Sequence, residues 1–294
     1  MTATRMLAVA LAAVLGVGGC AKAGTSPAET APAGDAKEAL LKSADALKTG
    51  SYSFSRTGAY LLQDLQRGEV HLPDGVLLQH EQRAVMRVGD AVYLRYFLYG
   101  NAELRDQYMT LYKRHGATAA QLKDFEKMNA LLDGKRWVRA DEKKLTAAAA
   151  IDEQSGLDAM TPLPKAGEHD LPKVGALLTA VTTVARSGDT ITGTLDATKV
   201  DPDANLLFSD PTYLYGPAAR TMSYQAVLDG QGRLTEFTVT MPSQLASEPA
   251  EGHDPEPPLV IKISGYGDTA APTAPKDAPE LPQSAYEVLS RDID

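Results

Sequence analysis

Apolar and polar residues alternate along much of this chain, and the period of the alternation changes from one stretch to the next. From Val76 to Tyr99 the period is two residues, as in a half-buried strand. Gly89-Asp90 interrupts it as a two-residue Gly-X connection, which predicts a long hairpin with a type II′ turn. In the first arm Leu78, Ala84, Met86 and Val88 share one parity, while Gln79, Glu81, Arg83 and Arg87 share the other. One buried face and one wet face are expected there. The second arm differs. Val92, Leu94, Tyr96 and Leu98 fall on one side, and Tyr93, Phe97 and Tyr99 on the other, with Arg95 the polar exception. A strand that is apolar on both sides needs two covers. Either helices pack on the second face, or that surface lines a cavity for an apolar ligand.

The same logic places the other elements. Asp35 followed by Glu38 has capping-box spacing, Leu40, Leu41, Ala44 and Leu47 share a helical face, and Gly50 supplies the stop. Tyr52 and Phe54 alternate with serines, and Gly68 to Leu72 is a short strand candidate. Leu104, Tyr108, Leu111 and His115 recur at helical spacing up to Gly116. Thr118 with Gln121 predicts a second capping box, ahead of the stripe Leu122, Phe125, Asn129 and Leu132. This inserted pair, near 101–133, is either a movable lid or fixed packing. Trp137-Val138 predicts a short strand, Glu142 to Ile151 a helix, and Leu171 to Val181 a further amphipathic turn. Strands are expected at Val181 to Ala185 and at Ile191 to Leu195 around Gly188-Asp189. They are also expected at Met222 to Leu228, Phe237 to Met241 and Leu259 to Ile263. The segment YGDTAAPTAPKDAPELP is irregular, with an apolar turn near Tyr286. Eight to ten strands with inserted helices predict an α+β body on one large, curved antiparallel sheet.

Composition narrows the class. The chain has 294 residues, 44% hydrophobic, and a net charge of −9. An acidic chain with no basic stripe is a poor nucleic-acid binder, so no nucleic-acid partner is expected. One cysteine, Cys20, excludes an intrachain disulfide. It follows Arg5, the apolar run Met6 to Leu15 and the small pair Gly18-Gly19. That is a secretory signal with an apolar run too short to span a bilayer, which takes about 20 residues. The cysteine after the small pair resembles the bacterial lipobox, in which the cysteine carries the lipid of the mature protein. Residues 21–34, AKAGTSPAETAPAG, have no apolar periodicity and read as a tether reaching roughly 20 Å. The expected organisation is a signal peptide at 1–19, a lipidated tether at 20–34 and a single domain at 35–294.

No catalytic constellation emerges. His71, His80, His115, His169 and His253 form no HExxH, HxH or Cys/His cluster, and no GxSxG elbow or P-loop is present. Asp201, Asp203 and Asn205 copy the first three ligand positions of an EF-hand, but Leu206 replaces the glycine and Thr212 the closing glutamate. An Asp-Pro turn accounts for them, and no metal or cofactor is expected. His80 and Glu81 face opposite sides of a strand and make a poor dyad.

The order of features has a parallel. Cys20, the Ala/Pro tether, the opening amphipathic helix, Lys135-Arg136-Trp137-Val138, the DGQG hairpin and the final strand entering Ser-Gly-Tyr-Gly-Asp make a distinctive layout. It resembles the LppX/LprG-type lipoproteins of actinobacteria, themselves similar in fold to LolA-like carriers. The resemblance implies a half-barrel around a plug of helices, with an apolar cavity for acyl chains and no catalytic residues. On that footing the chain is expected to be a non-enzymatic lipoprotein on the extracytoplasmic face of the cell membrane. Its partners would be the membrane, through lipid on Cys20, and a lipid or glycolipid ligand. Val92, Tyr93, Leu94, Phe97 and Tyr99 are the candidate cavity lining, with Leu40 and Leu47 as plug. The alternative is an envelope interaction or sensor module of the same fold with a filled core.

Overall fold

The computed structural model describes residues 33–58, 66–80, 83–97, 102–149, 168–204, 206–245 and 256–289. The signal segment, Cys20 and most of the tether lie outside the described residues, as do Glu81, Leu98, Tyr99, Ile151, Asn205 and His253.

Helix α1 (Ala33–Ser43) passes into a 3₁₀ turn (Ala44–Thr49), and Gly50 ends it at φ +71° with its N–H on the Leu47 carbonyl. Asp35, expected as N-cap, lies inside the first turn, where its charge still complements the helix dipole. Leu40 and Leu47 are buried, but Leu41 is exposed. Then come β1 (Ser51–Thr57), β2 (Arg67–His71), β3 (Gly75–His80), β4 (Arg83–Val88) and β5 (Ala91–Tyr96). Helices α2 (Ala102–Arg114) and α3 (Ala119–Leu131) follow, then β6 (Val138–Ala140) and α4 (Glu142–Ala149). The remainder is α5 (Val174–Thr179), β7 (Val181–Ser187), β8 (Thr190–Leu195), α6 (Pro211–Tyr215), β9 (Met222–Leu228), β10 (Leu234–Val239), β11 (Leu259–Ser264) and α7 (Gln283–Leu289).

Among the described residues eleven strands form one open antiparallel sheet, in the order β6-β5-β4-β3-β2-β1-β11-β10-β9-β8-β7. Two meanders meet where β1 pairs with β11, and β6 and β7 are the edges. The fold is α+β, as the periodicity predicts. One strand more than expected comes from the long first arm, which is two strands, β3 and β4. His80 pairs with Arg83, so the two stand on one face although their numbers differ in parity. That exchange overturns the predicted grouping. Leu78 faces the core with Val85, whereas Ala84, Met86 and Val88 face the other way. The Gly89-Asp90 turn agrees with the prediction, with Gly89 at φ +55°.

The core lies on one face. Cross-strand rows such as Phe54-Gly68-Leu78-Val85-Leu94-Val138 and Ile261-Phe237-Ala226-Ile191 supply the sheet side. Leu40 and Leu47, Phe125 and Met128 of α3, Leu145 of α4, and Val174 and Leu177 of α5 close it from above. Tyr52 ties the layers together, since its hydroxyl donates to the His169 carbonyl and accepts the Leu171 N–H at 3.2 Å.

The opposite face, where Met86 and Tyr93 are also buried, has a cover that helical periodicity did not predict. After β11 the chain crosses this face as a strap. The Thr269 carbonyl accepts from Ser51 and His71, and Pro272 lies against Gly75. The Pro279 carbonyl accepts the Arg139 N–H, and the Leu281 N–H returns to the Arg139 carbonyl, both at 2.8 Å. The strap thereby pairs the free edge of β6, while α1 packs beside the other edge, β7. Leu281, Ala285 and Tyr286 then join the core, and the Tyr286 hydroxyl accepts the Asp141 N–H.

Asp170 shows how burial and capping compete. Its carboxylate accepts the N–H groups of Val174 and Gly175 at the start of α5, at 3.0 and 2.6 Å. Burial nevertheless outweighs these bonds and the nearby Lys173, raising the carboxyl above its ordinary value of 3.8. A raised folded-state pKa means that the folded protein holds the proton longer than the unfolded chain. Stability from this group is therefore present below the unfolded value and is lost as pH rises through the folded one. Thermal melts of wild type and Asp170→Asn between about pH 3 and 7 test this. Wild type is expected to lose ground to the variant as pH rises, and a pH-independent difference would refute the assignment.

Candidate functional site

The predicted lining residues divide between the two faces. Val92 and Leu94 lie on the core face in one apolar cluster with Leu40 and Leu47. Tyr93 and Phe97 have the other parity of β5; Tyr93 is buried there and Phe97 half-buried. Tyr99 lies outside the described residues. The structure thus brings together four of the seven: Leu40, Leu47, Val92 and Leu94. The two covers demanded by the doubly apolar β5 are the helical layer on one side and the strap on the other.

A cleft of about 470 Å³ opens at the edge of the helical layer, between α2 and α3, with Ser284 of α7 as a third wall. Its apolar lining is Tyr112, Leu122, Phe125 and Met128, and its polar rim includes His115, Gln121 and Asp124. Phe125 and Met128 are also members of the main core, so the cleft floor is continuous with the apolar face of the sheet. Local sequence explains how α3 is held. Gln121 N–H donates to Thr118 Oγ1 at 3.3 Å, and Thr118 N–H donates to Gln121 Oε1 at 2.8 Å, the predicted capping box.

The outer wall is different. Helix α2 contains no buried residue, and Leu104, Leu111 and Tyr112 are 38%, 43% and 39% exposed. Its contact with α3 includes the Tyr112 and Phe125 rings, 5.0 Å apart and tilted by 51°. Tyr108 and Met109 rest half-buried against the core. Below them Asn129 Oδ1 is buried with no hydrogen-bond partner among the described residues, in a second cleft of about 380 Å³ between the same helices. An apolar cleft floored by core side chains and walled by a lightly attached helix can admit a chain-like apolar group. Tyr112 and Met128 were not singled out by the stripes, although each stands at helical spacing, Tyr112 from Tyr108 and Met128 from Phe125. The signal was available in the pattern.

Two of the titratable side chains elsewhere, His71 and Asp201, are engaged structurally. His71 Nδ1 bonds the Thr269 carbonyl under the strap. Asp201 accepts the Asp203 N–H at 3.0 Å, an Asp-Pro turn within a 3₁₀ segment. No group of three His, Cys, Asp or Glu side chains positioned for a metal occurs among the described residues. None of the described helices is long and apolar enough to cross a membrane.

No protein family matches the chain, and no curated protein matches its sequence. Among solved structures the chain is similar to the crystal structure of Mycobacterium tuberculosis lipoprotein LppX. The likeness has a TM-score of 0.34 and 12% sequence identity, over 81% of this chain and 97% of the other.

Proposed function

We propose that the protein is a lipid-anchored extracytoplasmic lipoprotein that binds the apolar chain of a lipid or acylated ligand, without catalysing a reaction on it. The observation that carries this reading is the cleft between α2 and α3, whose floor residues Phe125 and Met128 belong to the core. A chain entering there would move from solvent toward Leu94 and Val92, with Leu40 and Leu47 as plug. Burial of apolar surface at roughly 25 cal/mol per Å² supplies the driving force. Tyr93 belongs to the strap side, and Phe97 sits beyond the end of β5 against Gly134, so neither is part of this lining. The anchor rests on the lipobox-like run ending at Cys20, with residues 1–19 removed as a signal.

Native mass spectrometry after mild purification, paired with uptake of a fluorescent fatty acid, tests the binding. Leu122→Glu, at a half-exposed position of the cleft, should weaken uptake about tenfold or more while the fold persists. A clean ligand-free mass with no uptake by wild type would remove the proposal. Cys20→Ser should release a folded body into the soluble fraction, and retention on the membrane would instead mean that the body contacts lipid by itself.

The exposed stripe Leu104, Leu111 and Tyr112 on α2 favours a second reading, an envelope interaction module acting through this helix. That reading predicts a protein partner crosslinked at Leu111 and no bound lipid.

A further inference from the structure

The core face of the sheet is apolar along most of its rows; Arg87, opposite Val76 and Val92, is paired there with Glu142, and one other row gathers several polar side chains. Two residues from Phe54, Leu78, Val85 and Leu94 on their own strands stand Arg56, His80, Arg83 and Tyr96. Strand alternation puts each on the same face as the apolar residue two positions away. The register confirms the placement, since Arg56 is opposite Ile261, His80 opposite Arg83, and Arg83 opposite Tyr96. Arg56 is only 5% exposed, and the Nε atoms of Arg56 and Arg83 are both shielded from solvent. Both arginines make interactions within the chain. Arg83 also acts on Tyr96, where its charge opposes the upward push of burial on the phenol.

The two cations of this row are costly to desolvate on an apolar face and suit an anion that arrives with an apolar body. Three interstrand spacings of about 4.8 Å separate β1 from β4, so Arg56 and Arg83 flank a gap of about 14 Å spanned by β2 and β3. His80 projects from β3 within that gap, and Tyr96 adds a hydroxyl at the end nearest the helices. Asp133, bridge partner of Phe97 beside this end, is occupied by the N–H groups of Lys135 and Arg136 and by the Arg136 side chain. Arginine recognises phosphate and carboxylate oxygens with paired donors, and charged hydrogen bonds are the stronger class. The row therefore has the chemistry of an oxyanion site at the polar end of an apolar surface.

We propose that Arg56 and Arg83, with His80 and Tyr96, bind the phosphate head group of an anionic amphiphile whose chains lie on the adjoining apolar rows. This rests on the lipid-binding reading above and names the ligand class for it. The probes are phosphatidylglycerol, diacylglycerol with the same acyl chains, and inorganic phosphate alone, each titrated against the full-length protein in detergent. Wild type should bind phosphatidylglycerol at least tenfold more tightly than diacylglycerol. Arg83→Gln should reduce that preference to about threefold or less and leave diacylglycerol binding unchanged, and Arg83→Lys should restore part of it. Arg83 is half-buried, so its variants can be checked for folding by circular dichroism; Arg56→Gln is read only where the melt shows a folded protein.

The outcomes separate the two proposals. Equal binding of both lipids would overturn the head-group assignment and leave the lipid-binding reading standing. Binding of neither lipid would overturn both. Saturable binding of inorganic phosphate as tight as that of phosphatidylglycerol would show a free-anion site and overturn the amphiphile. A preference for phosphatidylglycerol that survives Arg83→Gln and Arg56→Gln together would place the head group elsewhere and overturn the row.

Discussion

Ending the chain at Ser264 is expected to abolish the folded state, although every strand of the sheet would remain. The strap contributes no strand of its own, yet its loss would uncover several things at once. Leu281, Ala285 and Tyr286 would leave the core, where each is at most 5% exposed. Truncating a buried leucine costs about 2–5 kcal/mol and a large aromatic about 3–5. Together these reach the order of the whole stability of a typical domain, about 5–15 kcal/mol. The N–H and C=O of Arg139 would also lose their partners on Leu281 and Pro279, opening the β6 edge to pairing with other chains. The outer-face side chains Met86 and Tyr93 would lose the segment that crosses their side of the sheet. Circular dichroism and size-exclusion chromatography of the truncated chain should show an unfolded or aggregated protein. The milder Leu281→Ala should stay folded with stability reduced by about 2–5 kcal/mol in urea titration. A truncated chain that melts like the full one would show that the strap is an ornament of the sheet.

Gly193→Ala should be the most damaging single substitution in the second meander. Tyr224 and Val184 flank Gly193 in register, and β7 carries a bulge between Val181 and Thr183. The Tyr224 hydroxyl donates to the Thr183 carbonyl at 3.2 Å, so its ring passes over the glycine. A Cβ at 193 would stand 1.9 Å from the Thr183 carbonyl oxygen and 3.0 Å from the Tyr224 ring. The near obstacle is backbone, which cannot rotate away, and two paired strands would have to part. The ring is also stacked on Phe237, with centroids 5.2 Å apart and planes within 5°, so the displacement would reach the core centre. The expected loss is about 3 kcal/mol or more, at the upper end for overpacked sites. For a protein of this size that corresponds to a fall in Tm of roughly 6–12 °C. Val184→Ala, which leaves the bulge and Gly193 untouched, serves as the comparison and should cost less. A Gly193→Ala melt within a degree or two of wild type would contradict the packing described.

Burial of Tyr224 pushes its phenol up to about 12, which keeps the hydroxyl a donor to Thr183 throughout the physiological range. The bulge is thus held by a neutral hydrogen bond, and the effect of Gly193→Ala should be insensitive to pH between about 5 and 9.

What the chain's own pattern determined is local. Period-two runs placed the strands, glycines at positive φ placed the turns after Thr49, Val88 and Ser187, and Thr118 with Gln121 placed the start of α3. These features depend on residues within one or two turns of each other, so a single sequence displays them. The α+β class followed from them. The pattern also showed that β5 must be covered twice. Which residues supply the covers depends on pairing over long separations. Thr269 meets Ser51, 218 residues away, through hydroxyl and carbonyl groups, and the strap that holds it has no periodicity to announce it. The face assignment of β4 turned on a single register, His80 with Arg83, because a shift of one residue exchanges the two faces of a strand. The same register gathers Arg56, His80, Arg83 and Tyr96 into one row. In the sequence these four are spread over 41 positions and look like unrelated polar residues of separate strands. Only lateral pairing of β1 to β5 sets them side by side on an apolar face, since side chains on one face of a sheet become neighbours through the strands beside them rather than along the chain.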